Sequence, residues 1–463
     1  MIETSHSPAL QDLLPAVRHM WDASGTAIRR LRDTWLPDAG APVFTARGIY
    51  TARGWTEWTD GFVYGSALLQ FDATGDEEFL DCARDGIRRV IPAHVTHAGV
   101  HDHGFNCIST YGTLLRMQAE GTCETNREMT ELALRCSGAV QAMRWSRAAD
   151  GGGYIYSFNG PHSLFIDTIR SLRVLAVAHL LGHVLKGEGD RQISLLERLC
   201  AHLRTTARYA VYYGEDRDIY DVRGRVAHES IFNTNDGAYR CPNSQQGYSP
   251  FTTWTRGLGW AILGFAEQLE FLATRPPDEL SACGAGDILD VAERAARATA
   301  DFYCQSTPTD GVPYWDTGAP GLAFLENRTE KPSDPYNDFE PVDSSAAAIA
   351  AQGLLRLAHY LDHHDPPAAA RYRAAGLTTA CTLLDAPYLS DDPAHQGLLL
   401  HGIYHRPNGW DYIPDGSRIP CGEACMWGDY HLRELARYIE SCANGESNLT
   451  FFAGAVNSAH DTR

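Results

Sequence analysis

The feature that most constrains this chain is a helical pattern of apolar residues that returns along almost its whole length. Apolar side chains recur at spacings of three and four, which is typical of amphipathic helices. The segments with this pattern are 10–31, 62–71, 79–90, 108–117, 129–143, 166–181, 193–212, 254–272, 288–303, 346–361, 369–384 and 430–439. The sequence therefore predicts an all-α protein of about twelve helices.

The breaks between these segments carry turn residues such as Gly75-Asp76 and Pro276-Pro277, and the clearest short strand candidate is 154–158. Helix pairs stacked around an axis would close into an α/α barrel with a cavity at one rim. An irregular helical array would give the same periodicity, so the pattern leaves both open. No long Gly, Ser or Pro linker divides the chain, which predicts a single domain over residues 1–463, with 310–343 as a rim loop.

The charge of the chain narrows its partners. It carries 39 Lys and Arg against 58 Asp and Glu, a net charge of −19. Such a surface disfavours nucleic acid and anionic membranes, and no stretch reaches the roughly 18 apolar residues of a membrane span. The polar start lacks the pattern of a signal peptide, which predicts a cytoplasmic protein. The oligomeric state is left open.

Large aromatic residues stand near the predicted helix starts, next to isolated charges. Flat aromatic faces suit the C–H faces of a sugar ring, and an exposed Trp is costly unless something covers it. The alternative is that these rings pack helix against helix. The aromatic candidates for a sugar site are Trp55, Trp58, Phe62, Phe158, Trp254, Trp260, Tyr314, Trp315 and Trp410.

Two aspartates are candidates for acid–base chemistry. Asp102 lies in His101-Asp-His-Gly-Phe105, where it could equally cap the helix that follows. Asp167 lies between Ile166 and Thr168 in an apolar stretch, and such surroundings disfavour a charged carboxylate. A carboxyl group that keeps its proton near neutral pH is what a general acid needs. A pair of carboxyl groups facing one cavity is the usual arrangement in glycoside hydrolysis.

A third group of candidates runs from Gln246 to Trp260. Arg256 offers a planar fork that matches a carboxylate, which in this acidic chain points to an anionic sugar. An ordinary ion pair with one of the many acidic residues is the alternative. Trp254 and Arg256 would project to different sides of a helix, so both can meet a ligand only at the helix start.

We predict neither a metal nor an organic cofactor. The histidines at 94, 97, 101 and 103 show no carboxylate-backed metal-binding spacing, and Gly99 interrupts their register. The segment 150–153 lacks the Lys-Ser/Thr of a phosphate-binding loop and is predicted to be a turn.

Taken together, the motifs resemble the unsaturated glucuronyl hydrolases of glycoside hydrolase family 88, over about residues 58–430. Each motif is weak alone, but they follow in the family's order. They are Trp58-Thr-Asp-Gly-Phe62, Thr74-Gly-Asp76, His101-Asp102 with Gly104-Phe105, Ile166-Asp167-Thr168, His228, Gln246-Gly-Tyr-Ser249, Trp254-Thr-Arg256-Gly257 with Trp260, Asp310–Asp316, Asp343–Ala350 and Trp427-Gly-Asp-Tyr430.

The resemblance implies an (α/α)6 barrel that releases a 4,5-unsaturated uronic acid from oligosaccharides made by polysaccharide lyases. It implies hydration of the C4–C5 double bond, in which Asp167 gives and takes the proton and Asp102 holds the sugar and favours protonated Asp167. His228, Gln246 and Arg256 would bind hydroxyls, water and the uronate. The full set expected to bind substrate is Trp58, Phe62, His101, Phe158, His228, Gln246, Trp254, Arg256 and Trp260.

Some residues depart from the family pattern. Phe158 stands where many members have Trp. Members that act on sulfated sugars carry S-x-x-S-x-K, whereas this chain has His405, Asn408 and Trp410 at those positions, so a sulfated partner sugar is not expected. The added stretch 411–425 could reshape the site. An unsaturated rhamnogalacturonyl hydrolase, or a catalytically silent sugar-binding barrel, stays as an alternative.

Overall fold

The computed structural model describes residues 1–54, 57–446 and 449–458, and most of them are helical. The α-helices are α1 Leu10–Thr34, α2 Asp60–Thr74, α3 Glu77–Arg89, α4 Ile91–Val95, α5 Thr113–Ala119, α6 Arg127–Met143, α7 Thr168–Ser171, α8 Arg173–Leu180, α9 Leu195–Tyr209, α10 Thr255–Leu272, α11 Pro277–Ala282, α12 Ile288–Ser306, α13 Ser344–Leu361, α14 Pro366–Leu383, α15 Met426–Ala443 and α16 Ala453–Ser458. A π-helix spans Gly104–Gly112.

The strands are short. They are β1 Pro42–Ala46, β2 Ile49–Ala52, β3 Trp145–Arg147, β4 Gly153–Ile155, β5 Ser163–Phe165, β6 Val184–Lys186, β7 Gln192–Ser194, β8 Glu229–Phe232 and β9 Tyr239–Asn243. They form antiparallel pairs, except for one three-stranded sheet in the order β5-β8-β9. The longer part of the predicted strand, 156–158, is not in a strand, because β4 ends at Ile155.

Helix packing follows two sets of neighbours. In one set, α2 packs against the π-helix and α15, the π-helix against α7 and α8, α7 against α10, α10 against α13, and α13 against α15. In the other set, each helix covers a member of the first: α3 covers α2, α6 and α9 cover α8, α12 covers α10, α14 covers α13 and α1 covers α15. The first set carries much of the buried apolar core.

Most predicted helices are confirmed, often with the cap residue that the chain supplies. Asp76, Asn126 and Asp343 accept backbone N–H groups at the starts of α3, α6 and α13. Two predictions need correction. The segment 166–181 is split into α7 and α8, and 108–117 begins as a π-helix. The segment 310–343 is irregular apart from the short 3-10 helix Pro320–Phe324.

Buried ion pairs join α7, α8, α10 and α15. The Arg170 side chain bonds to Glu267 (Nε to Oε2, 3.1 Å) and to Glu434 (Nη2 to Oε2, 2.5 Å), while Arg173 lies 3.4 Å from Glu267. Arg170, Arg173 and Glu267 are at most 1% exposed. We call these four residues the central ion-pair cluster. In the described residues, no helix is long and apolar enough to cross a membrane.

Candidate active site

One cavity of about 310 Å³ collects most of the predicted site residues. Its lining comprises Trp58, His101, Asp102, Phe105, Phe158, Phe165, Asp167, Gln245, Gln246, Trp254, Arg256, Trp260, Tyr404, His405, Asn408 and Trp410. Of the predicted residues, Phe62 and His228 are not among the described residues that line it. Residues from distant parts of the chain therefore meet at one place.

The two aspartates approach the same imidazole nitrogen. Nε2 of His101 lies 3.0 Å from Oδ1 of Asp167 and 3.7 Å from Oδ1 of Asp102. Asp102 is 6% exposed and Asp167 is 8% exposed, so both face the cavity from an otherwise buried position. The alternative interpretation of Asp102 as a helix cap is wrong, because no side chain caps the π-helix.

Close packing of two segments brings these groups together. The hydroxyl of Ser171 donates to the carbonyl of His101 (2.6 Å) and accepts from the backbone N–H of Gly104 (2.9 Å). A Cβ at Gly104 would lie 2.2 Å from the carbonyl oxygen of Ser171, so only glycine permits this approach. The π-helix after Asp102 is thereby held against the helix that follows Asp167.

Burial and mutual charge shift the titration of this site. Burial raises the pKa of Asp102, the nearby carboxylate of Asp167 raises it further, and His101 partly opposes both. Burial alone would lower the pKa of His101, but Asp102 and Asp167 outweigh it and raise the pKa. Arg144, which donates to the carbonyls of Tyr156 (3.2 Å) and Ser157 (2.7 Å), adds positive charge near Asp102.

Arg256 lies at the cavity, but its terminal nitrogens already have partners. Nη1 donates to Asp343 (3.1 Å) and to the carbonyl of Ile403, and Nη2 donates to the carbonyl of Tyr404 (2.8 Å) and to Oε1 of Gln246 (2.7 Å). The ion pair that the sequence left as an alternative is therefore present, and direct binding of a uronate by Arg256 stays a prediction. In this structure Arg256 instead orients Gln246, whose amide nitrogen then points away from the guanidinium.

The His228 ring lies behind the lining. It packs against Phe165 (ring centroids 4.6 Å apart) and Trp254 (4.7 Å), and Nδ1 accepts from the backbone N–H of Gln245 (2.9 Å). Burial lowers the pKa of His228 to about 3, so the ring is neutral at neutral pH. Direct substrate binding by His228 stays a prediction, and the observed contacts are with the wall.

Some of the predicted aromatic residues line the cavity, and others pack behind the residues that line it. Trp58 stacks on Trp427 (centroids 5.0 Å apart) and meets the edge of Phe62 (5.8 Å). Phe62, Tyr314 and Trp315 are buried and are not among the described residues that line the cavity, so the packing alternative is correct for these rings. The candidate Trp55 lies outside the described residues. Trp260 lines the cavity and packs against Phe105 (5.0 Å).

One loop supplies a further part of the cavity wall. His405, Asn408 and Trp410, the three positions that depart from the sulfate-binding pattern, all line the cavity. The indole of Trp410 packs against Tyr404 (centroids 5.3 Å apart) and His405 (4.9 Å). Burial lowers the pKa of His405 to about 4, and the charge of Arg256 lowers it further, so this ring is neutral near pH 7.

The added stretch 411–425 fastens this wall to the β1–β2 hairpin. Asp411 accepts the backbone N–H groups of Tyr404 and His405. At its far end, Glu423 accepts from Thr45 Oγ1 (2.5 Å) and from the backbone N–H groups of Arg47 (2.7 Å) and Gly48 (3.1 Å). The stretch thus braces the cavity wall from behind.

Known proteins resemble this chain over nearly its full length. An unsaturated glucuronyl hydrolase from Bacillus sp. (strain GL1) is 29% identical over 439 residues, covering 92% of this chain and 96% of the relative. Its crystal structure superposes with a TM-score of 0.68 at 25% identity, covering 93% and 97% of the two chains. The predicted resemblance to unsaturated glucuronyl hydrolases is confirmed. A scan against protein-family models found no match.

More distant relatives of these unsaturated glucuronyl hydrolases have the same fold. An unsaturated chondroitin disaccharide hydrolase from Streptococcus agalactiae serotype III is 23% identical, covering 85% of this chain and 84% of the relative. The crystal structure of an unsaturated glucuronyl hydrolase from S. agalactiae superposes with a TM-score of 0.66 at 20% identity, covering 94% and 96%.

Four residues at or near the cavity lie outside the motifs and positions compared with unsaturated glucuronyl hydrolases: Phe165, Gln245 and Tyr404 in the lining, and Arg144 near Asp102. Phe165 and Gln245 directly neighbour predicted motifs, so their position gave a usable signal. Arg144 follows α6, and no local pattern marked it. Nothing in its surroundings along the sequence shows that it faces Asp102.

The histidines considered for a metal have protein partners. Nε2 of His94 lies 2.9 Å from Oδ2 of Asp60, and His103 bonds to Ser137 Oγ (2.8 Å) and to the carbonyl of His97 (3.1 Å). Across residues 1–54, 57–446 and 449–458, no group of three or more His, Cys, Asp or Glu is placed to hold a metal ion.

Proposed function

We propose that this protein is a glycoside hydrolase that removes a 4,5-unsaturated uronic acid from the non-reducing end of oligosaccharides. The observation that carries the proposal is that Asp102 and Asp167 both approach Nε2 of His101 in a Trp-lined cavity. The similarity to unsaturated glucuronyl hydrolases supports it.

The reaction begins at the double bond. Asp167 protonates C4, which leaves positive charge at C5 beside the ring oxygen. Water adds to C5 and returns a proton to Asp167, so the carboxyl group ends the step as it began. The hemiketal formed at C5 then opens, and the linked sugar leaves.

The other cavity residues bind and orient the substrate. Asp102 accepts hydrogen bonds from sugar hydroxyls, and the amide nitrogen of Gln246 donates to the sugar. Trp58 and Trp254 cover the ring faces. The uronate binds on the Arg256 side of the cavity, where the guanidinium, paired with Asp343, orients Gln246 so that its amide nitrogen faces the sugar.

We further propose that the leaving sugar carries no sulfate. Arg256 is the only Arg or Lys among the described residues that line the cavity, and Asp343 neutralises it. The wall made by His405, Asn408 and Trp410 is uncharged, so it offers an aromatic face and hydrogen bonds in place of a cation for a sulfate.

For the architecture, we propose that residues 1–463 form one catalytic (α/α)6 barrel. Support comes from the ring of neighbours α2, π-helix, α7–α8, α10, α13 and α15, each covered by an outer helix. The cavity lies at one end of this ring.

The test is a panel of disaccharides released by lyases from hyaluronan, chondroitin, heparin, gellan and xanthan, with unsaturated galacturonyl-rhamnose added. Loss of the double bond's ultraviolet absorbance is expected with unsulfated uronyl substrates and not with Asp167→Asn. Absence of bleaching across the panel would overturn the proposal, and bleaching of the rhamnose conjugate alone would identify the rhamnogalacturonyl type.

A further inference from the structure

A second cavity, of about 470 Å³, shares none of its described lining residues with the candidate active site. It lies between α1, α2, α3, the β1–β2 hairpin and the first turns of α15. Small-molecule sites have volumes of about 300–1,000 Å³. The second cavity is therefore large enough for a ligand of its own.

Apolar side chains make much of the wall of this second cavity. They include Ile28 and Leu31 from α1, Val63 and Ala67 from α2, and Met426 from the start of α15. Such a wall favours a ligand whose larger part is apolar, because burial of apolar surface drives binding. It disfavours a sugar, whose hydroxyl groups would lose their hydrogen bonds to water.

Two ion pairs stand at the exposed end of the second cavity. Arg32 lies 2.6 Å from Glu78, and Arg89 lies 2.5 Å from Asp85. The side chains of Arg32 and Arg89 are 38% and 61% exposed. Deeper in the cavity, Asp60 is paired with a histidine at 2.9 Å. These charged groups have protein partners and need none from a ligand.

Arg433, on α15, brings a positive charge to the buried end of the second cavity. The residue is 2% exposed, its Nε donates to Oγ of Ser24 (2.7 Å), and its Nη1 donates to Oγ of Ser66 (3.2 Å). Both partners are neutral hydroxyls. Among the described residues, no carboxylate lies within ion-pair distance of this guanidinium. A buried cation in this position is costly, so an anion that joins it there is favoured.

The acid one turn earlier on α15 is Asp429, and its oxygens are already bonded elsewhere. They accept from the hydroxyl of Tyr50 (2.8 Å) and from the backbone N–H groups of Leu398 (3.0 Å) and Leu399 (2.8 Å). Burial lowers the pKa of Arg433, and the charge of Asp429 only partly offsets this effect. Asp429 therefore does not replace an ion-pair partner.

The hydrogen bonds of Arg433 show what it can still bind. A guanidinium has five N–H groups, and the two serines accept two of them. In the part of the chain that the structure describes, the other three, on Nη1 and Nη2, have no acceptor. These two nitrogens form the planar fork that holds a carboxylate through two parallel hydrogen bonds.

We propose that the second cavity binds an amphipathic monocarboxylate, such as a medium-chain fatty acid. The carboxylate pairs with Arg433 at the buried end, and the apolar chain lies against α1 and α2. The proposal does not rest on the proposed function, because neither this cavity nor its ligand takes part in the chemistry of the double bond.

Isothermal titration calorimetry with octanoate tests the proposal on the whole protein. We expect saturable binding at one site. Octanol and octylamine carry the same chain without a negative charge, so they should bind about 10-fold more weakly or worse, because hydrogen bonds between charged groups are the strong ones. No binding of octanoate, or binding no tighter than that of octanol, would overturn the proposal.

Arg433→Gln removes the positive charge. We expect the affinity for octanoate to fall about 10- to 100-fold and the affinity for octanol to stay the same. Arg433→Lys keeps the charge without the fork and should give an intermediate affinity. Unchanged octanoate binding in a folded Arg433→Gln protein would show that this residue does not hold the carboxylate.

A matched control is Arg356→Gln, on α13. Arg356 is as buried as Arg433, at 3% exposed, but it has its own partner in Glu270 (2.8 Å) and does not line the second cavity. This variant should melt at a lower temperature and keep the octanoate affinity of the wild type. Equal losses of affinity in the two variants would contradict the assignment, since octanoate would then report only the general loss of stability.

Two further variants locate the ligand without altering Arg433. Val63→Trp places a large side chain in the second cavity and should abolish the binding of both octanoate and octanol. Trp410→Ala changes the candidate active site and should leave both affinities as they are. Octanoate binding that survives in a folded Val63→Trp protein, or that is lost in Trp410→Ala, would place the ligand outside the second cavity and overturn the proposal.

Discussion

The two ends of the short helix α7 hold opposite kinds of buried charge. Asp167 precedes its first turn and Arg170 lies near its last, only three residues later. Arg170 shares the central ion-pair cluster, where two glutamates face two arginines. Among the described residues, His101 is the only basic side chain within ion-pair distance of Asp102 and Asp167, and both carboxylates share it.

The two groups of buried charges shift the pKa values of their carboxyl groups in opposite directions. Burial raises the pKa of Asp102, and the surrounding charges do not cancel this effect. Burial would also raise the pKa of Glu434, but Arg170 and Arg173 outweigh it and hold the pKa well below its usual range. Compensated charges make a scaffold, whereas incompletely compensated ones keep a proton available for chemistry.

The strongest test of this contrast is Asp167→Asn. The amide keeps the size of the side chain but cannot give a proton, so activity should fall by about 1,000-fold or more. Stability should change little, because Asp167 makes no ion pair with a described Arg or Lys. Rates of absorbance loss, together with urea unfolding, check both expectations. Substantial residual activity would place the acid elsewhere.

Glu267→Gln should give the opposite result. It leaves Arg170 and Arg173 short of a buried negative charge, which typically costs about 3–5 kcal/mol of unfolding free energy. The activity per folded molecule should stay near that of the wild type. Urea unfolding followed by circular dichroism measures the loss, and an unchanged midpoint would show that the cluster is not a scaffold.

Asp102→Asn should separate function from stability. We expect activity to fall about 100-fold, since the amide cannot support the acid–base role of its neighbour. The folded protein should not be less stable near neutral pH, because a buried charge has been removed. A large drop in melting temperature would contradict this view of Asp102.

The smallest expected effect is a difference in pH dependence. The pKa of Asp102 is raised in the folded protein, so ionisation of this group lowers the stability of the wild type as the pH rises from the unfolded-state pKa through the folded-state pKa. Between acidic and neutral pH, the free energy of unfolding of Asp102→Asn should therefore rise by about 1 kcal/mol relative to that of the wild type. The pKa of Glu434 is lowered in the folded protein. Ionised Glu434 therefore stabilises the fold fully at pH values above its unfolded-state pKa, and this stabilisation is lost as the pH falls below it. The deficit of Glu434→Gln should therefore be constant at neutral pH and shrink in acid.

Urea unfolding of both variants and the wild type at several pH values measures these slopes. If the free energy of unfolding changed with pH in the same way for both variants, Asp102 and Glu434 would not differ in the way that we infer.

Local patterns predicted the helices well and the site in outline. The 3–4 periodicity gave α10 and α12 to within a few residues, because their buried faces are continuous. It merged α7 with α8, since the chain stays helical on both sides of Leu172. Asp102 and Asp167 were found through motifs, but their shared imidazole depends on the contact between Gly104 and Ser171.

The sequence could not predict the ion pairs between residues that are far apart along the chain. An ion pair was one of the two interpretations of Arg256, but the sequence could not indicate that its partner is Asp343, 87 residues away. Arg170 and Arg173 lie in an apolar stretch where nothing marks their glutamate partners. Such pairings depend on how helices pack, and local spacing carries no record of that.

The anchoring of Glu423 on the β1–β2 hairpin has a consequence for engineering. The carboxylate of Glu423 joins the β1–β2 hairpin to segment 405–425, which carries His405 and Trp410. These two segments therefore have to be exchanged together when the cavity wall is redesigned. If segment 405–425 alone were replaced by that of a homologue with another sugar preference, the hydroxyl of Thr45 and the backbone N–H groups of Arg47 and Gly48 would lose Glu423 as their acceptor. Successful transplants should carry both pieces together.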